Sequence, residues 1–321
     1  MDISRDAPRG FIRLDLNLFQ IDAAVDFDIY IVPEGTSVPV LYRGRNLPFD
    51  DDHRKRLSVG GTFEAFIHEE DARDLDKYVE EHLDKIIANP NVRTAQKARL
   101  LYDTSLRLTA EVLYRPDTAE SLRRSGELVR STVSYILLGK DAFHELLLIK
   151  AHDYRTFAHS VNVCGMGIAL AQAVGFEGRT ELSDFGLGAI FHDVGKTRIS
   201  QDALTRPGPL TDDEWMRMRQ HPRMGYEIMS ARLDFPESAK AIILQHHERL
   251  DGNGYPEGRY GDDIHPYARI AAIVDTFDAL TTRRPYGDFL DTYAALEEMK
   301  QEVGSHFSED YYREFVKLLG R

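Results

Sequence analysis

From Pro116 to the C-terminus, apolar residues recur at the three-to-four-residue spacing of amphipathic helices, and almost no strand pattern interrupts them. Segments such as GLGAIFHDVGK, SAKAIILQHHERL and ARIAAIVDTFDALTT each carry an apolar face of this kind. Successive helices of this type bury their apolar faces against one another. The pattern therefore predicts an all-α helical bundle as the C-terminal domain, over residues 117–321.

The first 116 residues have a different pattern, in which alternating apolar residues predict strands. FIRLDLNLF alternates along its length, and FDIYIV, VPVLYR and TFEAFI are short and rich in β-branched or aromatic residues. From Asp71 the apolar spacing becomes helical until NPN ends the helix. Residues 1–116 are predicted to form a smaller α+β domain, which could be a sensor, a dimerisation element or a lid. Residues 117–150 are expected to form a connecting helix that could pair in a homodimer.

Histidines are concentrated in the second part of the chain, where nine of the twelve lie at or beyond position 144. Histidine or aspartate stands out at five places, each on a different predicted helix: His159, His192 with Asp193, His221, His246 with His247, and Asp275. Steps of 25 to 33 residues separate them, about one helix and its return. Five helices can therefore direct these side chains to one point of a bundle. Any one of these histidines alone is more often an ordinary core or surface residue, so the prediction depends on the ordered set.

Imidazole and carboxylate ligands together favour borderline divalent ions such as iron, manganese, nickel or zinc over calcium and magnesium. Five histidines and two aspartates are too many for one ion, whereas two ions that share a carboxylate would use them all. A pair of ions can activate a water and hold a phosphoryl group. Lys196 follows His192 by one helical turn, so it is expected on the same face, where it could offer a cation to a phosphate.

Composition limits the molecules that this protein is expected to bind and the compartment in which it is expected. The formal net charge of -13 opposes binding to nucleic-acid polymers and to anionic lipid. The lone Cys164 allows no intramolecular disulfide, and no signal peptide is evident, so we expect a cytoplasmic protein. The longest apolar stretch, residues 161–176, is shorter than the ~20 residues of a membrane span and is predicted to be a buried core helix.

Three motifs together, HDVGK, HHERLDGNGYPEG and DTFDALTTRRPYG, resemble the HD-GYP domain of the HD phosphohydrolase superfamily. The resemblance covers the chain from about residue 120 to its end. It implies a helical bundle with a metal centre, which hydrolyses cyclic di-GMP to linear pGpG and/or GMP through attack by a hydroxide that bridges two ions. Two divalent ions are expected, with iron favoured and manganese, nickel or zinc as the other options.

The resemblance also implies roles for individual residues. One ion would be bound by His159, His192, Asp193 and Asp275, and the second by Asp193, His221, His246 and His247, so that Asp193 bridges. Asp193 and Lys196 would be the catalytic residues. Substrate would be contacted by Lys196, Tyr255, Asp278 and Arg284.

Three positions depart from the family pattern. Arg155 stands where members with a third metal carry a glutamate, which favours two ions. Arg283 replaces an acidic or amide residue, and Gly287 stands where a lysine or arginine often helps to hold the ligand's phosphate. Two other functions stay open, the first because of Arg283 and Gly287 and the second because the HD motif alone allows it. One is a cyclic di-GMP-binding or signalling module whose GYP loop docks a diguanylate cyclase (GGDEF) domain, and the other is hydrolysis of a mixed-base cyclic dinucleotide.

Overall fold

The computed structural model describes residues 7–18, 23–33, 35–49, 65–150, 156–200, 208, 211–282 and 289–320. Contacts divide the chain into two compact units, Met1–Thr104 and Ser105–Arg321, and the division falls within the helix Thr94–Val112. The predicted boundary after residue 116 lies just beyond the end of this helix. Sequence patterns show where a helix ends, whereas the division by contacts depends on which neighbours each residue meets.

The first unit contains four strands within the predicted segments, β1 Phe11–Leu14, β3 Ile29–Ile31, β4 Val40–Arg43 and β6 Ala65–His68, and two short strands that were not predicted, β2 Ala23–Ala24 and β5 Pro48–Phe49. Four of them form an antiparallel sheet in the order β1-β6-β3-β4, and β2 pairs with β5. Strand β1 is shorter than its alternating pattern predicts. The Asp15 carboxylate accepts the Asn17 N–H at 2.8 Å, and this side-chain turn starts the 3-10 turn Leu16–Leu18.

The helical part of the first unit begins with α1 Ala72–Glu81 and α2 Leu83–Ala88, and α3 is Thr94–Val112. The sequence predicted one helix where α1 and α2 stand. His82 separates them, because its backbone leaves the helical region and its Nδ1 lies 2.9 Å from the Tyr78 carbonyl oxygen.

The second unit confirms the predicted helical bundle. Its helices after α3 are α4 Ala119–Ile136, α5 Lys140–Ile149, α6 Thr156–Ala173, α7 Arg179–Phe191, α8 Asp212–Met218, α9 His221–Ser230, α10 Glu237–Gln245, α11 Pro266–Thr281, α12 Thr292–Lys300 and α13 Glu309–Leu319. Helices α6 and α7 are central: α6 packs against α7, α11 and α13, and α7 packs against α4 and α10. The site described below is built from residues of α6, α9 and α11 and of the turns that follow α7 and α10.

The predicted connecting segment 117–150 consists of two helices, α4 and α5, with Gly139 at a φ of 116° between them. Helix α4 packs on α7 and buries Val129 and Ile136, so its apolar face is used within this chain. Helix α6 is the predicted core helix, and its Ile168 and Leu170 are fully buried. Within the described residues, no helix has the length and apolar character that crossing a membrane requires.

Candidate metal centre

The structure brings the seven predicted metal ligands together in the second unit, on helices and turns that are far apart in sequence: His159 on α6, His192 and Asp193 after α7, His221 at the start of α9, His246 and His247 after α10, and Asp275 on α11. The side chains of His247 and Asp275 are 27% and 13% exposed, and the other five residues are buried. The centre therefore opens to solvent on the side of His247 and Asp275.

Hydrogen bonds at Nδ1 orient four of these histidines. His159 Nδ1 lies 2.7 Å from Asp278 Oδ2. Three others donate Nδ1–H to a main-chain carbonyl three or four residues earlier: His192 to Ala189 (2.7 Å), His221 to Met218 (2.7 Å) and His246 to Ile242 (3.0 Å). A carbonyl oxygen only accepts, so the proton is on Nδ1 and the Nε2 lone pair is left for a ligand.

The Nε2 atoms face one another in pairs. His159 Nε2 is 3.3 Å from His192 Nε2, and His221 Nε2 is 3.2 Å from His246 Nε2. Because His221 and His246 carry their protons on Nδ1, their two Nε2 lone pairs repel each other at this separation unless a cation lies against both. Metal-bound histidines usually donate their second ring N–H to a carbonyl or carboxylate, as these do. The donor set therefore fits divalent metal ions.

Asp193 lies between the two histidine pairs. Its Oδ2 is 3.5 Å from His192 Nε2, and its Oδ1 is 3.2 Å from His221 Nε2. Oδ1 is buried and has no hydrogen-bond partner within the described part of the chain. A buried carboxylate oxygen without a donor is costly unless a cation compensates for it. Asp193 is thus placed to contact a metal on either side.

Burial keeps three of the histidines neutral. It lowers the pKa of His192, lowers that of His246 well below the usual value, and brings the pKa of His247 to about 3. Imidazole must be neutral to bind a metal. These three rings are therefore in the ligating state at pH 7 without any proton loss.

The carboxylates of the centre stay ionised although they are buried. Burial would raise the pKa of Asp193, but the Lys196 ammonium and the adjacent histidines outweigh it and hold this pKa well below the usual range. Asp275 is held low in the same way, chiefly by His159, whose Nε2 is 2.9 Å from Asp275 Oδ1. The centre thus combines these ionised carboxylates with the neutral imidazoles of His192, His246 and His247.

Two glycines bring the HDVGK turn against α9. A Cβ on Gly195 would collide with the His221 carbonyl oxygen and lie 2.6 Å from the Gly225 nitrogen. Real Cβ atoms do not approach that closely, so this packing needs glycine at position 195. The contact sets the separation of Asp193 from His221, and it explains why the HDVGK and HPRMG segments each contain a glycine.

Lys196 lies at the centre, although α7 ends before it. The chain continues after Asp193 as the 3-10 turn Val194–Arg198, and the Lys196 ammonium donates to Asp193 Oδ2. The side chain is 17% exposed. Lys196 therefore lies close to the candidate metal ligands, as expected. A 3-10 turn places it there, and not a helix face shared with His192.

The HHERLDGNGYPEG stretch folds back onto the end of α10. Glu248 is buried, and its carboxylate accepts the N–H groups of Glu257 at 2.7 Å and Arg259 at 2.9 Å. A Cβ on Gly254 would lie 2.5 Å from the Glu248 Cα, so only glycine fits at that position. Glu248 and Gly254 thereby hold Tyr255 at the edge of the metal centre.

Tyr255 lies against a metal ligand. Its ring stacks on the His247 ring, with centroids 4.7 Å apart and planes 27° apart. Burial raises the pKa of its hydroxyl, which therefore stays protonated at neutral pH. Tyr255 is at the open side of the centre, where its predicted contact with substrate is sterically accessible.

Asp278 does not lie where a substrate contact was expected. Its side chain is fully buried behind His159, and besides His159 it accepts hydrogen bonds from Asn162 Nδ2 at 3.0 Å and Lys150 Nζ at 2.7 Å. We therefore replace the expected substrate contact with a role in orienting His159. Sequence reasoning missed Lys150 and Asn162, and the only signal for Asp278 was its position one helical turn after Asp275.

Arg284, the remaining predicted substrate contact, lies outside the described residues, as do Arg155, Arg283 and Gly287. Its contact with substrate stays a prediction from the resemblance.

Comparison with known proteins finds relatives that are named for one activity. A cyclic di-GMP phosphodiesterase of Pseudomonas aeruginosa is 34% identical over 209 residues, which are 64% of this chain and 48% of that protein. A cyclic di-GMP phosphodiesterase of Thermotoga maritima is 30% identical over 257 residues, covering 78% of this chain and 69% of that protein. The chain thus spans about half the length of the Pseudomonas relative.

A solved structure supports the fold. The chain aligns with an HDG"Y"P protein from Bdellovibrio bacteriovorus at a TM-score of 0.66 and 19% identity, covering 97% of this chain and 100% of the other. The family model described as "HD domain" matches residues 148–310, and this range contains all seven predicted metal ligands. As its His-Asp and Gly-Tyr-Pro motifs predicted, the chain belongs to the HD domain family.

Proposed function

We propose that this protein is a metal-dependent phosphodiesterase that hydrolyses cyclic di-GMP to linear pGpG and/or GMP. The observation that carries the proposal is the position of Asp193 between two groups of metal ligands. One group is His159, His192 and Asp275, and the other is His221, His246 and His247. The curated relatives described above carry the same activity in their names, which supports the choice of substrate.

The proposal includes two ions. One would be held by His159, His192 and Asp275, the second by His221, His246 and His247, and Asp193 would offer one carboxylate oxygen to each. Iron is our first choice, and manganese, nickel and zinc accept the same donors. Divalent ions in such a site supply an activated water at neutral pH and positive charge for the phosphoryl oxygens.

The residues of the chain would then position and neutralise the substrate. Lys196 donates to Asp193, and its ammonium would also donate to a phosphoryl oxygen as negative charge develops there. The leaving 3′-oxygen needs a proton, and the Lys196 ammonium is a source at the centre. Tyr255 would line the entrance, and Asp278 would hold the His159 ring in its ligating orientation.

The test is product analysis with full-length protein, purified without oxygen and loaded with iron or manganese. Cyclic di-GMP, a mixed-base cyclic dinucleotide and bis(p-nitrophenyl) phosphate are supplied in parallel. We expect linear pGpG or GMP, formed fastest from cyclic di-GMP, and no product with the His192→Ala, Asp193→Ala double variant. Hydrolysis of bis(p-nitrophenyl) phosphate while cyclic di-GMP stays intact would overturn the substrate assignment. Faster hydrolysis of the mixed-base cyclic dinucleotide would make that dinucleotide the assigned substrate.

A signalling module with weak catalysis is the second candidate, and one observation favours it. Tyr260, which closes the GYP loop by pairing with Asp251, is 67% exposed. An exposed aromatic residue on a rigid loop suits contact with a protein partner such as a GGDEF domain. The double variant above separates the two functions, because a pure interaction module keeps its partner binding and cellular effect, whereas an enzyme loses its effect.

A further inference from the structure

Three side chains form a stack that leads outward from the metal centre. The Tyr255 ring lies on His247, and the Arg219 guanidinium lies 4.8 Å from the centroid of the Tyr255 ring. An arginine over a tyrosine face at this distance is a cation–π contact. Arg219 is thereby held at the open side of the centre, with Tyr255 between it and His247, a candidate metal ligand.

This stack changes what Tyr255 can offer. His247 stacks on its ring and the Arg219 guanidinium lies over it, so both compete with a nucleobase for the surface of the Tyr255 ring. The hydroxyl and the ring edge remain. Arg219 is therefore better suited than the Tyr255 ring to contact a ligand here, because its planar guanidinium carries N–H donors along its edge.

The charge of Arg219 is not neutralised by a carboxylate among the described residues. Neighbouring arginines differ in this respect, because Arg223 pairs with Glu257 at 3.4 Å and Arg198 pairs with Glu227 at 3.0 Å. Lys196, the other cation near the centre, donates to Asp193. In a chain with a net charge of -13, a cation that has no carboxylate partner in the described part of the structure and lies beside a candidate metal site is suited to an anionic ligand.

We propose that Arg219 is a substrate-binding residue that grips the phosphodiester of a cyclic dinucleotide that is not being cleaved. This inference rests on the proposed function. A cyclic dinucleotide carries two phosphodiesters, and the metal centre engages only one at a time. Arginine binds phosphate through two parallel N–H donors, so Arg219 would fix the second phosphate while the first reacts.

The experiment compares Arg219→Ala with Arg217→Ala in metal-loaded, full-length protein. Arg217 is an exposed arginine of α8, two residues away, and serves as the matched control. We expect Arg219→Ala to raise KM for cyclic di-GMP by about 10- to 100-fold, the effect of losing a charged hydrogen bond. Turnover of bis(p-nitrophenyl) phosphate, which has a single phosphate, should stay within about twofold of wild type. Arg219→Lys should lie between wild type and Arg219→Ala, because it keeps the charge but not the planar fork.

The outcomes separate the two proposals. Equal losses on both substrates would overturn the Arg219 proposal in favour of a role in packing Tyr255, and so would equal behaviour of Arg219→Ala and Arg217→Ala. If wild type binds cyclic di-GMP without cleaving it, the proposed hydrolysis is overturned. The Arg219 proposal is then tested by comparing the Kd of Arg219→Ala and Arg217→Ala for cyclic di-GMP, measured by calorimetry. If wild type neither binds nor cleaves cyclic di-GMP, both proposals fail.

Discussion

Asp278 Oδ2 lies 2.7 Å from Nδ1 of His159, while Asp275 Oδ1 lies 2.9 Å from Nε2 of the same ring. One helix, α11, therefore supplies both carboxylates, three residues apart, to the two nitrogens of a single imidazole. Lys150 balances the inner carboxylate at 2.7 Å. The ring can neither rotate nor change its tautomer without breaking one of these contacts.

Replacing Asp278 by Asn should weaken the metal centre without touching a ligand. Loss of a carboxylate behind a metal-bound histidine typically costs 10- to 100-fold in affinity or activity, and we expect a loss of about that size. Manganese affinity and kcat/KM are the measurements. Asp262→Asn is the control, because Asp262 is fully exposed and pairs only with Arg269 in the described part of the chain. Wild-type metal affinity in Asp278→Asn would contradict the orienting role.

Replacing Lys150 by Met should destabilise the fold. Lys150 is 9% exposed and Asp278 is fully buried, so the substitution leaves a buried carboxylate with fewer partners. Removing one member of a buried ion pair costs about 3–5 kcal/mol of unfolding free energy. Lys317→Met, at an exposed pair with Glu314, should cost less than about 1 kcal/mol. Denaturant unfolding of the full chain measures both, and adding Asp278→Asn to Lys150→Met should recover part of the loss.

Gly195→Ala should disrupt the metal centre, whereas Gly126→Ala should be harmless. The Cβ at position 195 meets main-chain atoms of His221 and Gly225, which cannot move without shifting α9. At position 126, within α4, the nearest atom is the flexible Arg130 side chain at 3.4 Å. Alanine there should stabilise the helix by up to about 1 kcal/mol. Far-UV circular dichroism, thermal unfolding and bound-metal content distinguish the two variants.

The metal-free protein should lose stability as the pH falls below about 6.5, the ordinary pKa of histidine. The pKa of His192, His246 and His247 is lowered in the folded state, that of His247 to about 3, so the unfolded chain takes up protons first. Between pH 6.5 and 4.5, each such histidine removes up to about 1.4 kcal/mol of unfolding free energy per pH unit. His159, with its raised pKa, is protonated in both states there and adds no slope.

The measurement is denaturant unfolding of chelator-treated protein across that range. His247→Gln should flatten the dependence. A flat profile in wild type would contradict the assigned protonation of the centre.

Helical spacing predicted the bundle well, because an amphipathic helix records its buried face in its own sequence. The points at which single strands and helices break were harder to predict. Strand β1 ends where the Asp15 side chain competes for the Asn17 N–H, and α1 separates from α2 at His82. Both breaks depend on a single side chain within an otherwise regular pattern, so periodicity over a window does not reveal them.

The metal ligands were predictable because their types and spacing express a shared requirement. The supporting residues were not. Lys150 reaches Asp278 from a distant part of the chain, and Arg219 contacts Tyr255 only because the GYP loop folds back over α10. Asp278 was expected to meet substrate, whereas packing turns it toward His159. Such contacts follow from the tertiary fold and leave no periodic signal.

The most direct test of the central claim is a metal titration of cyclic di-GMP hydrolysis. Metal-free, full-length protein is loaded anaerobically with increasing iron or manganese, and linear products are quantified by chromatography at each step. We predict no product without metal, activity that saturates near two ions per chain, and no activity in Asp193→Asn, which loses one of the shared carboxylate oxygens. The claim would be contradicted if the protein bound two ions per chain and cyclic di-GMP still stayed intact.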